Sequence, residues 1–281
     1  KHLGVAGPLN FLPFLRILPK YRRTIHFLVD GMRKTHDVYQ KVIDDHPEDR
    51  EDDFIAAFLR EQRARGADPS SFTQKQFHHA LADLFGAGVD TTLTTLRWFL
   101  IYVAKYPDVQ KRIQEDLDVI CGGTPRLEHA AQLNYLQAAI AEAQRIRPVV
   151  PVGIPHGATQ DTVVSGYRVP RGTMVVPLQW AVHMDPRHWP EPERYDPERF
   201  LDTEGKFFKP EAFIPFQTGK RVCMGEELAR MILLLYASNL LFFFSVTLPS
   251  SCQDPLQSHC GITLVPTLRT LHFHRRILTE L

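Results

Sequence analysis

Cysteine is scarce in this sequence, and neither sign of charge is in clear excess. The 281 residues contain 4 cysteines, which lie far apart without a CxxC pair, at positions 121, 223, 252 and 260. This distribution excludes a disulfide-dense secreted scaffold and favours a reducing compartment. The 33 basic and 32 acidic residues give a formal net charge of +1, and no dense basic block is present. The chain therefore lacks the basic footprint of a nucleic-acid-binding protein, and we expect no nucleic acid partner.

Long apolar runs are also few, although the 44% hydrophobic content excludes a disordered chain. Only the run from Met231 to Leu248 approaches the length of a membrane span, and Tyr, Ser, Asn and Thr interrupt it. The charged residues of EELAR just upstream continue its helical register, which favours a helix buried in a large core. The N-terminus has neither an initiator Met nor the order of a signal peptide, so we interpret the chain as part of a longer one.

Helical periodicity dominates what is present. Apolar residues recur at spacings of three and four from Ile25 to Ile43 and again from Phe77 to Tyr106, where Thr73 is suited to cap the second helix. Alternation predicts a β-hairpin that turns at residues 170–172 and a second β-ribbon over 262–275, while the proline-rich stretch 186–215 predicts no regular elements. These patterns predict a mainly α fold with small β-sheets, in a single domain.

The strongest chemical signal is the segment FQTGKRVCMG at 216–225. Cys223 lies between Gly219 and Gly225, follows Lys220 and Arg221, and directly precedes a predicted helix. The two cations and the positive end of a helix favour a thiolate, and the glycines let a flat ligand approach the backbone closely. The pattern favours a metal ligand or a nucleophile over a buried, inert cysteine.

A second signal lies inside the long predicted helix, at AGVDTT. Gly86 and Gly88 each destabilise a helix interior by about 1 kcal/mol relative to Ala, which indicates that something approaches this backbone. Thr91 can bond its hydroxyl to a carbonyl one turn earlier and open a groove beside Asp90. A packing glycine next to an ordinary acid explains the same residues equally well.

A third signal is the pair Glu142 and Arg145, which share one face of a predicted helix. The PERF segment at 197–200 adds a second cation, Arg199. By themselves these residues are typical of a surface ion pair, which stabilises a protein very little.

Together, and in this order along the chain, the three segments resemble the haem-thiolate monooxygenases, the cytochromes P450. FQTGKRVCMG matches the family's Phe-x-x-Gly-x-Arg-x-Cys-x-Gly loop at every fixed position, and AGVDTT matches its oxygen-binding helix. Glu142, Arg145 and Arg199 match its core triad. The resemblance begins near residue 9, so it implies a cytochrome P450 fold whose N-terminal part is missing, with residues 1–281 forming a single partial domain.

The resemblance also implies a role for each residue. Cys223 would be the axial ligand of the iron, and Asp90 and Thr91 would be catalytic residues that deliver protons to the oxygen site. Further haem contacts would be Ala87, Gly88, His156, Phe216, Gly219, Arg221 and Gly225, with His156 and Arg221 on the propionates. The substrate pocket would be lined by Val149, Val150, Val152, His259 and Ile262.

The implied cofactor is haem b (iron protoporphyrin IX), with electrons from NADPH. The implied partners are a flavoprotein reductase, cytochrome b5, a small apolar substrate and the cytoplasmic face of the endoplasmic reticulum membrane, whose anchor lies outside this chain. The segments EAQRIRPVVPVGIPHG and GTMVVPLQWAVHMDP look most like insect steroid hydroxylases, and within those like the ecdysteroid 25-hydroxylase. The implied reaction inserts one oxygen atom from O2 into a C–H bond of a steroid.

Two alternatives remain open from the sequence. One is a catalytically silent fragment or isoform that acts by binding. The other is a haem-thiolate enzyme that isomerises or dehydrates a peroxide without O2, although the intact Asp90-Thr91 pair argues against it, because that chemistry needs no proton relay.

Overall fold

The computed structural model describes residue 9 and residues 12–47, 50–66 and 71–277. The chain divides into two compact units, the first ending at Val89 and the second starting at Asp90. In the ranges just given, no helix is both long enough and apolar enough to cross a membrane.

The first unit is helical. It contains a 3-10 helix at Pro13–Ile17, α1 at Pro19–Asp44, α2 at Phe54–Arg65 and the first part of α3, which spans Gln74–Lys105. The side chain of Thr73 accepts a hydrogen bond from the amide of Gln76 at 3.1 Å, which is the predicted N-terminal cap of α3. The core of this unit comprises Ile43, Phe58, Phe77 and Leu81.

In its described residues, the second unit contains the rest of α3 and four further helices, which are α4 at Pro107–Cys121, α5 at Asn134–Ile146, α6 at Gln179–His183 and α7 at Glu226–Phe243. Its 3-10 helices are Leu127–His129, Pro197–Phe200 and Gly219–Arg221. A large apolar core joins the longer helices and includes Trp98, Phe99, Ile101, Ile113, Leu117, Leu136, Ala139, Leu233, Ala237 and Leu241. Helix α7 is therefore a core helix, and the apolar run is helical only to Phe243.

Over residues 90–277, the second unit also contains four antiparallel pairs of short strands. They are β1 (His156–Gly157) with β4 (Met174–Val175), β2 (Thr162–Val164) with β3 (Tyr167–Val169), β5 (Phe244–Thr247) with β8 (His272–Arg275), and β6 (Ser258–Cys260) with β7 (Leu264–Pro266). The predicted class, mainly α with small β-sheets, is confirmed.

Two details of the β prediction are wrong. The hairpin turns at Ser165 and Gly166, with Val164 opposite Tyr167, and not at residues 170–172. Both turn residues have positive φ, 50° and 85°, as a two-residue type I′ turn requires. The tail is not one ribbon either, because its two strands pair with different partners, β7 with β6 and β8 with β5.

Candidate functional site

The segment that carries Cys223 is a tight loop closed by its own backbone. Gly219 begins a 3-10 turn at φ 76°, a left-handed conformation that favours glycine. The Cys223 amide donates to the Phe216 carbonyl at 2.9 Å, and α7 begins at Glu226. The Cys223 thiol is exposed. The loop thus presents a sulfur to solvent next to the positive end of an 18-residue helix.

Contacts of Arg230 hold the side chains around this thiol. The Arg230 guanidinium lies 5.1 Å from the centre of the Phe216 ring, and Arg230 also donates to Glu226 at 2.9 Å. A Cβ at Gly225 would lie 3.9 Å from the Cys223 sulfur, an ordinary contact distance. The loop therefore requires glycine at 219 for its backbone, whereas the described protein atoms do not exclude a side chain at 225.

Gln217 is a site residue that the sequence did not reveal. Its φ is 65°, uncommon for a residue other than glycine, and its Oε1 lies 3.4 Å from Nε2 of His156. Gly153 packs against the Gln217 side chain and Pro177, since a Cβ there would lie 3.2 Å from Gln217 Nε2 and 2.5 Å from the Pro177 carbonyl oxygen. Gln217 thus brings the predicted propionate ligand His156 to the cysteine loop. Arg221 is exposed at the end of the 3-10 turn.

The glycines of α3 have no packing role within the described chain. A Cβ added at Gly86 or Gly88 would meet no described atom within 4 Å beyond the backbone of its own helix. Ala87 and Gly88 are exposed. The alternative of a packing glycine therefore gains no support from the structure.

Asp90 and Thr91 begin the part of α3 that belongs to the second unit. The Thr263 hydroxyl donates to Asp90 Oδ2 at 3.0 Å, and the Thr95 hydroxyl donates to the Thr91 carbonyl at 2.8 Å. Asp90 is exposed and Thr91 is half-buried. Asp90 and Thr91 are thus consecutive residues of α3 at the start of this unit, and the Asp90 carboxylate is bound by the Thr263 hydroxyl.

The two predicted substrate segments are brought together. The amide of Leu264, in β7, donates to the Val149 carbonyl at 2.8 Å, and the Val150 carbonyl closes a turn with the amide of Gly153. The side chains of Val149, Val150 and Val152 are half-buried, while Ile262 is 48% exposed. His259 lies in β6 opposite Val265 and is exposed.

Glu142 and Arg145 form a buried ion pair, so the interpretation as a surface pair is wrong. Both side chains are fully buried, with Arg145 Nε and Nη2 donating to the two carboxylate oxygens at 2.6 and 2.8 Å. Arg199 Nε lies 3.4 Å from Glu142 Oε1, and the Asp196 amide donates to the same oxygen at 3.0 Å. Burial raises the pKa of Glu142, against the opposing effect of Arg145 and Arg199.

His183 is a second residue that the sequence did not reveal. It is fully buried at the end of α6; its carbonyl accepts from Arg145 at 2.7 Å, and its Nε2 accepts from the Ile214 amide at 3.0 Å. Burial, with a smaller contribution from the Arg145 guanidinium, lowers the pKa of His183 to about 4. His183 therefore links the buried ion pair to the segment that leads into the cysteine loop.

The donor set around Cys223 fits a haem. It offers an exposed soft sulfur, the aromatic ring of Phe216, whose backbone carbonyl accepts from the Cys223 amide, and two groups able to bind carboxylates, Arg221 and His156. Thiolate is one of the axial ligands by which proteins hold haem iron.

Comparisons with known proteins cover both units. A sequence model described as Cytochrome P450 matches residues 4–273. Cytochrome P450 306a1 of Drosophila melanogaster is 39% identical, over 100% of this chain and 58% of its own length. Cytochrome P450 2U1 of Homo sapiens is 40% identical over 95% and 51%, and cytochrome P450 18a1 of Drosophila melanogaster is 34% identical over 98% and 54%. The chain spans about half the length of the curated relatives it matches, and it belongs to the cytochrome P450 family.

Proposed function

We propose that the protein carrying this chain is a haem-thiolate monooxygenase, which inserts one oxygen atom from O2 into a C–H bond of an apolar substrate. The observation that carries the proposal is the exposed Cys223 thiol, held in a loop closed on the Phe216 carbonyl at the start of α7. Membership of the cytochrome P450 family supports it.

Each residue of the loop then has a defined task. Cys223 would bind the iron of haem b, Phe216 would pack beside the sulfur, and Arg221 and His156 would bind the propionates. A haem held by a thiolate supplies oxygen activation, because electron donation from sulfur favours cleavage of the O–O bond. The Gln217 side chain would orient the His156 ring, whose Nε2 it contacts.

Asp90 and Thr91 would hold and pass the protons that the reaction consumes. Adjacent carboxylate and hydroxyl groups can exchange protons through hydrogen bonds or one intervening water. Ala87 and Gly88, within the helical turn before Thr91, would contact the haem, and a Cβ added at Gly88 would meet no described atom within 4 Å beyond the backbone of its own helix.

The pocket side chains support an apolar substrate. Val149, Val150, Val152 and Ile262 offer aliphatic carbon, and His259 offers a polar ring at the edge. We further propose a steroid of the ecdysteroid precursor type, with 25-hydroxylation as the narrowest form. The support is the likeness of the segments around 142–157 and 172–186 to insect steroid hydroxylases. The proposed partners are a flavoprotein reductase, which takes electrons from NADPH, and cytochrome b5. The proposed location is the cytoplasmic face of the endoplasmic reticulum membrane.

A ferrous-CO difference spectrum tests the iron ligand. Replacement of Cys223 by Ser should remove the red-shifted Soret band, because a hydroxyl is a hard, weak ligand for haem iron. The matched control replaces Cys121, Cys252 and Cys260 together by Ser and should keep the band. A Cys223→Ser protein that retains the band would contradict the axial assignment.

Turnover with a reductase, NADPH and 18O2 tests the reaction. One 18O atom in the product of an ecdysteroid precursor is expected, with the unlabelled product expected in 16O2. A protein that shows the thiolate band and yet forms no product from any apolar substrate would instead be the silent binding isoform. Conversion of a hydroperoxide without O2 would indicate the isomerase or dehydratase.

A further inference from the structure

The hairpin of β6 and β7 is hydrogen-bonded to one face of α3. Arg97 and Trp98 follow Asp90 by seven and eight positions, which is about two helical turns. All three side chains therefore reach the same side of α3. Trp98 Nε1 donates to the Leu264 carbonyl at 2.7 Å, and Arg97 Nη2 donates to the Pro266 carbonyl at 3.2 Å. These two contacts end on backbone oxygens, which every residue possesses, so they do not depend on which side chains the hairpin carries.

The contact at Asp90 is different, because it joins two side chains. The Thr263 hydroxyl donates to Asp90 Oδ2 at 3.0 Å. A hydroxyl can donate one hydrogen bond, and an ionised carboxylate accepts on both of its oxygens. Only serine or tyrosine could replace threonine as a neutral hydroxyl donor, and the aromatic ring of tyrosine would place its oxygen much farther from the backbone. Among these three contacts, Thr263 is therefore the hairpin residue whose type matters.

The backbone around Thr263 is held on both sides. The Thr263 carbonyl accepts from the Gly261 amide at 3.0 Å, and the next amide, Leu264, donates to Val149 at 2.8 Å. A β-branched side chain has few rotamers at χ1, so a fixed backbone also fixes the direction of its hydroxyl. Thr263 can therefore hold the carboxylate in one orientation.

We propose that Thr263 is a positioning residue for Asp90. By holding Oδ2, it fixes the plane of the carboxylate and leaves Oδ1 to accept and release protons. Since Ile262 of the proposed substrate segment is its neighbour in sequence, the same hairpin would contact the substrate and orient the proton donor. This inference rests on the proposed function, because it assigns Asp90 to proton delivery.

The first test measures product formed per NADPH consumed, together with peroxide released. Thr263→Val keeps the shape and removes the hydroxyl, and should lower product per NADPH by about tenfold, the scale of one hydrogen bond to a charged group. Thr263→Ser should restore most of the yield. The matched control is Thr267→Val, because its hydroxyl lies on the same hairpin region and bonds the Gln257 carbonyl at 3.1 Å. Haem content and substrate affinity should stay close to wild type in all three variants.

The second test does not depend on turnover. Hydrogen exchange at the Leu264 amide is compared in wild type, Thr263→Val, Asp90→Ala and the double variant. If the two side chains act as one link, each single change should speed exchange several-fold and the double variant should be no faster. Multiplied rates in the double variant, or an unchanged product yield in Thr263→Val, would overturn the proposal. If wild type forms no product, the proposed function fails, and the exchange cycle alone then decides whether Thr263 positions Asp90.

Discussion

The buried His183 ring must be neutral to keep its contact in the second unit. Its Nε2 accepts from the Ile214 amide, so this nitrogen must be unprotonated for the contact to exist. Protonation would also bring a positive charge next to Arg145 in a fully buried place. Acid should therefore break the contact of His183 with Ile214, in the segment that leads into the cysteine loop.

The sign and the pH window of this effect follow from the pKa. The pKa of His183 is lowered from 6.5 to about 4, so the unfolded chain binds more protons between these values. The contribution of neutral His183 to the free energy of unfolding should be complete above pH 6.5. It should be lost as the pH falls towards 4, which lowers the free energy of unfolding by about 3 kcal/mol in total. Urea unfolding at a series of pH values measures it.

The matched variant is His183→Gln, whose amide oxygen can still accept from Ile214 but does not titrate. The difference between the wild-type and variant curves should change across that window and be flat above it. His188→Gln, at an exposed position, serves as the second control. Wild-type and His183→Gln curves that run parallel from pH 7 to pH 4 would contradict the prediction.

At the scale of elements, the buried ion pairs of Glu142 with Arg145 and Arg199 join helix α5 to the 3-10 turn Pro197–Phe200. The spacing of Glu142 and Arg145 in the sequence is the same as in any surface pair, and only burial distinguishes the two cases. Arg145 also donates to the carbonyls of His183 and Pro192, at 2.7 and 2.8 Å, so it satisfies one backbone group at the end of α6 and one in the segment that follows. Loss of one charge would leave the others buried without compensation.

Glu142→Ala, Arg145→Ala and Arg199→Ala should therefore each destabilise the protein, by about 3–5 kcal/mol for the two fully buried residues. The effects should not add, because the residues share one network. Denaturant unfolding and haem content of single and double variants measure this.

The exposed pair Lys111 and Glu115 on α4 provides the control, since its side chains are 77% and 63% exposed. Glu115→Ala should change the free energy of unfolding by about 0.5 kcal/mol or less. Stable single variants of the triad with full haem content would show that these charges do not support the fold.

At the scale of the whole molecule, much apolar surface of this chain is open. In the first unit the exposed fractions of Phe14, Ile17 and Phe27 are 62%, 77% and 76%. In the second unit Val222 and Met224, on either side of Cys223, are 46% and 90% exposed. Exposed apolar patches of this kind promote association unless a ligand or another part of the protein covers them.

Residues 1–281 expressed alone should therefore retain haem poorly and aggregate. About half the length of the relatives has no counterpart in this chain, and any haem contacts from that half would be missing. Haem per chain in the soluble fraction, measured by absorbance, should lie well below one. A stable one-to-one complex that turns over substrate would show that these residues suffice.

The sequence by itself determined the family, the mainly helical class and the identity of the cysteine ligand candidate. Those properties depend on local patterns: helical periodicity, two glycines that let a flat ligand approach the backbone, and a cysteine between cations and a helix start. Neighbours along the chain are enough to establish them, and the N-terminal cap at Thr73 was predictable for the same reason.

Only the tertiary structure decided which distant residues meet. Burial of Glu142 and Arg145, the contact of Gln217 with His156, the role of His183 beneath Ile214 and the bond from Thr263 to Asp90 all join separate segments. The pairing of the two tail strands with different partners has the same origin. Spacing along a chain carries no information about such contacts, because the energies of burial and hydrogen bonding depend on what packing brings together.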